Sequence, residues 1–282
     1  MKTILVPTDF SENAYSALFY AAKLFEDEPC CFIILNSFED QVFKLVSPVY
    51  IGKSDELMNS LLKASEVECL AEKNKLISDL GTTKHTFKII STSLLLTRAI
   101  NELIVKEKVN FVAMGSKGKT ATEHLFIGSN SFKVAENIKG APLLIIPDKI
   151  AYKVPKKLGF ASGFKKSYSN KQLEPLKEIH KLFSAKTKVI YVFEEEKLPT
   201  TELENLQALL QISKNDDFEL QWLSETESKA NTIMEYVYKE KLDMLAICYY
   251  KHNFISNLFR ENVVKEITHN IRTPLLILPS TD

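Results

Sequence analysis

Residues Ala141–Pro147 read A-P-L-L-I-I-P, and residues Thr273–Pro279 read T-P-L-L-I-L-P. A short apolar strand bracketed by prolines thus occurs near the middle of the chain and again near its end. A second pair of segments repeats at matching places. Asn110-Phe111-Val112-Ala113-Met114 is answered by Asp243-Met244-Leu245-Ala246-Ile247. Such spacing constrains the chain to two copies of one fold in tandem. At 282 residues it has room for two domains of about 140 residues each. We place them at residues 1–149 and 150–282, with the junction in Asp148–Lys153.

Within each copy, apolar runs alternate with stretches of helical period. In the first, strand signals fall on Thr3–Pro7, Cys31–Leu35, Phe87–Ile90, Phe111–Met114 and Leu143–Ile146. Helical spacing occupies Ser11–Phe25, Ser54–Ser78, Leu94–Glu107 and Ser129–Ile138, with an irregular stretch around Ser47–Lys53. The second copy places strands at Leu158–Ala161, Lys188–Phe193, Phe218–Trp222, Met244–Cys248 and Leu275–Leu278. Its helices fall near Lys171–Phe183, Leu203–Ile212, Ala230–Lys239 and Asn257–Thr268. Strands alternating with helices imply parallel pairing through right-handed crossovers, with helices on both faces. The fold class is therefore α/β: two tandem, doubly wound, five-stranded parallel sheets.

Composition narrows the function. Lysine plus arginine equals aspartate plus glutamate at 36 each, so no global field favours nucleic acid or an anionic membrane. No apolar run approaches the ~20 residues of a spanning helix, and Met1–Val6 enters a strand at once, leaving no room for a signal peptide. The expected location is the cytoplasm. Cys30, Cys31, Cys69 and Cys248 contain no C-x-x-C spacing and read as reduced, buried thiols.

The chain has only eight glycines, and three of them fall within fourteen positions: Gly115, Gly118 and Gly128. They directly follow the fourth strand of the first copy. Glycines between a strand and a helix N-terminus let backbone N–H groups approach an anion with no β-carbon in the way. The loop reads as a phosphate cradle. The same residues also serve a simpler purpose in which the glycines only turn the chain, Ser129 only caps a helix, and Asp9 only starts one.

At this point the sequence resembles the universal stress protein family in its tandem, two-domain form. The opening Ile4-Leu5-Val6-Pro7-Thr8-Asp9-Phe10-Ser11 is similar to the family's first strand and acidic turn. Gly115-x-x-Gly118-x9-Gly128-Ser129 has the spacing of its ATP-binding signature, and Pro142–Pro147 is similar to its last strand. The resemblance implies a Rossmann-like, adenine-nucleotide alpha-hydrolase-like fold with ATP, carrying Mg²⁺, across the strand ends. It places Asp9 at the ribose, flanked by Pro7 and Thr8, and the backbone of Ser37, just beyond the second strand, at the adenine edge. Met114 and Gly115 would line the base and sugar pocket. Gly118, Gly128, Ser129 and Asn130 would offer N–H groups and a hydroxyl to the phosphates, with Lys117 and Lys119 adding charge.

The second copy departs from the signature. Cys248-Tyr249-Tyr250-Lys251 stands where Gly115–Gly118 stood, Phe259-Arg260-Glu261 replaces the Gly128-Ser129 region, and Ala161-Ser162-Gly163 replaces Pro7-Thr8-Asp9. Bulky side chains and Glu261 would exclude a phosphate there. His124, in the nine-residue spacer, reads as solvent-facing, and Glu194–Glu196 as a solvated loop. No catalytic order of Ser, His and Asp, no paired carboxylates and no Walker lysine stands out, so the chain is expected to bind rather than to catalyse. Its partners would be ATP and a protein that the sequence does not name. Two other readings stay open. One is a nucleotide-independent interaction module whose halves mimic a homodimer, pairing through Leu143–Ile146 and Leu275–Leu278, with or without further dimerisation. The other is an adenine-transferring enzyme, which needs a second substrate pocket and a base.

Overall fold

The computed structural model describes residues 1–45, 54–118, 128–193, 198–214, 216, 218–248 and 263–279. They form two compact units that part between Tyr152 and Lys153. Unit 1 contains, in chain order, β1 (Lys2–Pro7), α1 (Glu12–Leu24), β2 (Cys30–Ser37), α2 (Glu39–Leu45), α3 (Ser54–Leu80), β3 (Thr86–Thr92), α4 (Leu96–Lys106), β4 (Phe111–Gly115), α5 (Ser129–Asn137) and β5 (Leu143–Ile146). Its strands lie in the order β3-β2-β1-β4-β5 and are all parallel where their register is defined. Unit 2 contains β6 (Lys157–Ala161), α6 (Asn170–Phe183), β7 (Lys186–Phe193), α7 (Thr200–Ile212), β8 (Glu219–Ser224), α8 (Lys229–Lys239), β9 (Met244–Cys248), α9 (Val263–Asn270) and β10 (Leu275–Leu278). Its order, β8-β7-β6-β9-β10, is that of unit 1 with β6 in the place of β1. The α/β class read from the alternation is the observed one.

The central strands are apolar throughout because helices cover both faces of such sheets. Every residue of β4, β5, β9 and β10 is buried. Small residues bring α1 close to the sheet: Ala17, Ala21 and Ala22 are fully buried along one side of it. The strand order reverses between β1 and β4, which opens a crevice at their C-terminal ends. At the opposite ends, the repeated Asx residue does the same job twice. The side chain of Asn110 accepts from the Thr3 amide at 2.8 Å, while its own amide donates to the Thr3 carbonyl at 2.9 Å. Asp243 accepts from the Lys156 and Lys157 amides at 2.9 Å each and donates its amide to Lys157 at 2.8 Å.

Some segments run differently from the sequence reading. Strands β2, β3 and β7 extend past their apolar runs, because residues such as Ser91, Thr92 and Lys186 still pair in the ladder. Helix α2 carries no periodic signal strong enough to foresee in seven residues. The described part of the helix expected at Asn257–Thr268 runs from Val263 to Asn270. None of the four cysteines is in a disulfide; three are buried and Cys31 is half-buried.

His85 is a buried imidazole that ties α1 to β2. The Ala22 carbonyl can only accept and the Cys30 amide can only donate, so the ring is neutral with its proton on Nε2. Nε2 donates to Ala22 at 3.1 Å, and Nδ1 accepts from Cys30 at 3.4 Å. Burial holds the ring below the usual imidazole value of 6.5, against smaller opposing pulls from the Ala22 carbonyl and Glu26. The unfolded chain therefore takes up this proton first as pH falls. The stability supplied by the neutral ring is complete above the unfolded value and drains away as pH drops through the folded one. We expect the melting temperature of the wild type to fall more steeply than that of His85→Gln between about pH 7 and pH 5. Parallel thermal-melt curves over that range would contradict this.

Candidate functional site

The crevice is built by a short turn after β1 and by the glycine loop after β4. The Thr8 amide extends the ladder by donating to the Leu35 carbonyl at 2.8 Å, and the Thr8 carbonyl accepts from Asn36 Nδ2 at 2.8 Å. Thr8 Oγ1 donates to Glu72 Oε1 on α3 at 3.0 Å and accepts from the Phe10 amide at 2.9 Å. That second bond bends the chain through Phe10, which sits at φ +62°, a left-handed conformation that non-glycine residues rarely adopt. Asp9, between them, accepts from the Ser11 amide at 3.1 Å, and Ser11 Oγ then caps α1 by accepting from Ala14 at 3.2 Å. The turn has no backbone freedom left, and it points the Asp9 carboxylate across the β1–β4 crevice.

The loop arrives from the other side. A β-carbon on Gly118 would lie 2.4 Å from Asp9 Oδ2, so a larger residue here would push the carboxylate out of this position. The Gly128 amide donates to the Ser116 carbonyl at 2.6 Å, and the Ser116 amide donates to Ile146 at 2.8 Å, which closes the base of the loop. Helix α5 starts directly after Gly128, and Ser131 Oγ returns to the Gly115 carbonyl at 2.8 Å. Ser129 and Asn130 are exposed at this helix start. Two expectations need correction. The Gly128 amide is already spent on Ser116, so it is not among the N–H groups turned outward. Ser37 is the last residue of β2 rather than a residue beyond it, and pairs with Thr92 while its hydroxyl donates to the Leu94 carbonyl at 2.6 Å. Pro7, Thr8 and Gly115 are buried; Met114 is buried in β4 at 5% exposure. Lys117 is half-buried, and Lys119 and His124 lie outside the described residues.

A polar network underlies the crevice on the α3 side. Asn36 Oδ1 accepts from Ser65 Oγ at 2.8 Å, and Ser65 lies 2.7 Å from Ser91 Oγ. Cys69, fully buried beside these serines, has its thiol pushed up to about 12 by burial, which removes it as a nucleophile at neutral pH. Among the described residues no group of three or more His, Cys, Asp and Glu side chains is placed to hold a metal ion.

Unit 2 repeats the turn without its acid. The Ser162 amide donates to Ile190 at 3.0 Å, Ser162 Oγ accepts from the Phe164 amide at 3.0 Å, and Phe164 sits at φ +50°. The matching pair Thr8-x-Phe10 and Ser162-x-Phe164 was visible in the sequence as a hydroxyl two residues before phenylalanine. Gly163 occupies the position of Asp9. Phe164 is fully buried and stacks on Tyr191 at 5.2 Å, while Ser162 Oγ lies 2.7 Å from Tyr168. Cys248 ends β9 where Gly115 ends β4, and it is buried. Residues 249–251 and 259–261, expected to fill the phosphate space, lie outside the described residues, as does the acidic run 194–196.

The double role of the Thr8 hydroxyl sets a measurable cost. Thr8→Val removes a donor to Glu72 and an acceptor for Phe10 from a site at 7% exposure. We expect unfolding free energy to fall by about 2 kcal/mol in a denaturant titration followed by a unit 1 probe. A loss within experimental error would show that the turn does not rest on this hydroxyl.

Comparison with known proteins bears on the family and the fold. The universal stress protein family model matches residues 1–147. A universal stress protein of Methanocaldococcus jannaschii is 29% identical over 152 residues, covering 51% of this chain and 81% of that protein. The crystal structure of a universal stress protein from Archaeoglobus fulgidus covers 99% of this chain and 97% of its own, at 16% identity and a TM-score of 0.65. A protein from Pseudomonas aeruginosa described as belonging to the same family covers 99% and 93%, at 13% identity and a TM-score of 0.60. At those identities the two structures speak for the fold, and they do so over both units. With the family model spanning the turn, the glycine loop and the last strand of unit 1, the chain belongs to the universal stress protein family.

Proposed function

We propose that unit 1 binds ATP, taken up with Mg²⁺, and that the chain acts as a nucleotide-responsive stress module through binding and conformation rather than turnover. The observation that carries this reading is the approach of Gly118 to the Asp9 carboxylate at the strand-order reversal. A carboxylate only accepts hydrogen bonds, so it suits the hydroxyls of a ribose and would repel phosphates placed against it. The backbone amides of Ser129 and Asn130 only donate, and they lie in the first turn of α5, which suits phosphate. An acceptor beside a set of donors is the pattern of a sugar phosphate.

In this reading Pro7 and Thr8 hold Asp9 against the ribose, and Ser37 offers backbone at the adenine edge. Met114 and Gly115 back the base and sugar. Gly118, Ser129 and Asn130 take the phosphates, and Gly128 keeps the loop closed beneath them. Mg²⁺ bound with the nucleotide would offset the charge of the phosphates. Ser116 Oγ, buried within the loop, has no hydrogen-bond partner among the described residues. The pushed-up thiol of Cys69 and the consumed hydroxyl of Thr8 favour binding over covalent chemistry. Unit 2, with Gly163 for the acid and Cys248 for the first glycine, takes no nucleotide in this manner.

Calorimetric titration of MgATP into the full chain and into Gly118→Val tests this. We expect one site per chain in the wild type and loss of at least about a hundredfold in affinity in the variant, because the new side chain enters the space of Asp9. No heat from the wild type, after extraction has excluded prebound nucleotide, would remove the nucleotide reading and favour a protein-interaction module.

A further inference from the structure

Asn13 is a residue that neither the glycine spacing nor the acidic turn points to. It lies in the first turn of α1, is 6% exposed, and reaches across the crevice to the glycine loop. Its Oδ1 accepts from the Lys117 amide at 2.8 Å, and its Nδ2 donates to the Ile146 carbonyl at 3.4 Å. That carbonyl also receives the Ser116 amide at 2.8 Å. One side-chain amide therefore fixes the peptide between Ser116 and Lys117 and ties it to the end of β5. A β-carbon on Gly115 would sit 2.5 Å from Asn13 Oδ1 and 2.8 Å from the Asn13 carbonyl oxygen, so the glycine before the loop admits both the backbone of α1 and this side chain.

Unit 2 supplies the contrast. Gln172, in the first turn of α6, donates from Nε2 to the Pro279 carbonyl at 3.2 Å, as Asn13 does to Ile146 at the end of β5. Its carbonyl oxygen has a different use: it accepts from the Ser169 amide at 3.1 Å and completes the cap of its own helix. The same amide group at the same end of the sheet serves the helix in unit 2 and the loop in unit 1.

We propose that Asn13 is the positioning residue of the glycine loop, turning the Lys117 amide inward so that the following Gly118 amide faces the nucleotide phosphates. This assignment rests on the nucleotide reading of unit 1 and adds to it the residue that presets the loop. The bond is charge-free, so it holds the loop without competing for phosphate. Losing it leaves the loop to be ordered at the expense of binding.

The test titrates MgATP into the full-length wild type, Asn13→Ala and Phe25→Leu. Phe25, at the far end of α1, is buried against Phe111 and controls for plain destabilisation of unit 1. Hydrogen exchange of the Lys117 amide is followed without nucleotide. We expect Asn13→Ala to bind about tenfold more weakly, with faster Lys117 exchange, and Phe25→Leu to bind within about twofold of wild type. Unchanged affinity in Asn13→Ala, or an equal loss in Phe25→Leu, overturns the assignment. Failure of the wild type itself to bind removes the nucleotide reading and this role with it. Lys117 exchange unaltered by the substitution overturns the inward bond independently of any ligand.

Discussion

A strand buried on both faces can present polar chemistry only at its ends. In unit 1 this constraint decides where everything else must be. β4 and β5 are apolar at every position, and β1 is buried from Ile4 to Pro7. The turn after β1 and the loop after β4 therefore carry the hydrogen-bonding capacity of the crevice, and among the described residues much of it is used internally. Thr8 bonds with its amide, its carbonyl and its hydroxyl, and Ser116 with both backbone groups. Among the described residues, the Asp9 carboxylate lies against Gly118 and the first amides of α5 follow Gly128, a small set with specific chemistry.

The duplication shows which parts of the arrangement are scaffold. Both units keep the hydroxyl that bends the turn, the left-handed phenylalanine two residues on, and a side-chain amide that bonds to a carbonyl at the end of the last strand, Ile146 in β5 and Pro279 just past β10. Both also keep an Asx residue bracing the opposite strand ends. These recur because the fold needs them. The carboxylate at Asp9 and the glycines at 115 and 118 occur in unit 1 alone, where Gly115 makes room for Asn13 and Gly118 for the Asp9 carboxylate. In unit 2 the corresponding turn is closed by Phe164, stacked on Tyr191 and fully buried.

Much of this was legible in the sequence, and the limits have physical reasons. The strands Leu143–Ile146 and Leu275–Leu278 coincide with their apolar runs because prolines bound them. Strand β2 runs past its apolar run to Ser37, since a polar residue can pair in a ladder as well as an apolar one. Glycine spacing and Asp9 could be read because few positions demand a missing β-carbon or an acid straight after a strand. Asn13, Asn36 and Glu72 could not. Their importance lies in a partner far along the chain: Lys117, Thr8 and Thr8 respectively. A buried polar residue on a helix looks, in one sequence, like a solvated one. The spent amide of Gly128 was equally hidden, since the same glycine serves a loop that offers its N–H and one that consumes it.

The central claim is that a duplicated scaffold carries one nucleotide site per chain. Native mass spectrometry of the full chain with a graded excess of MgATP reads that number directly. The account predicts a single bound nucleotide that persists as the excess rises. Two nucleotides per chain would mean that unit 2 binds without the acid and glycines, and none would mean that the loop is an inherited shape.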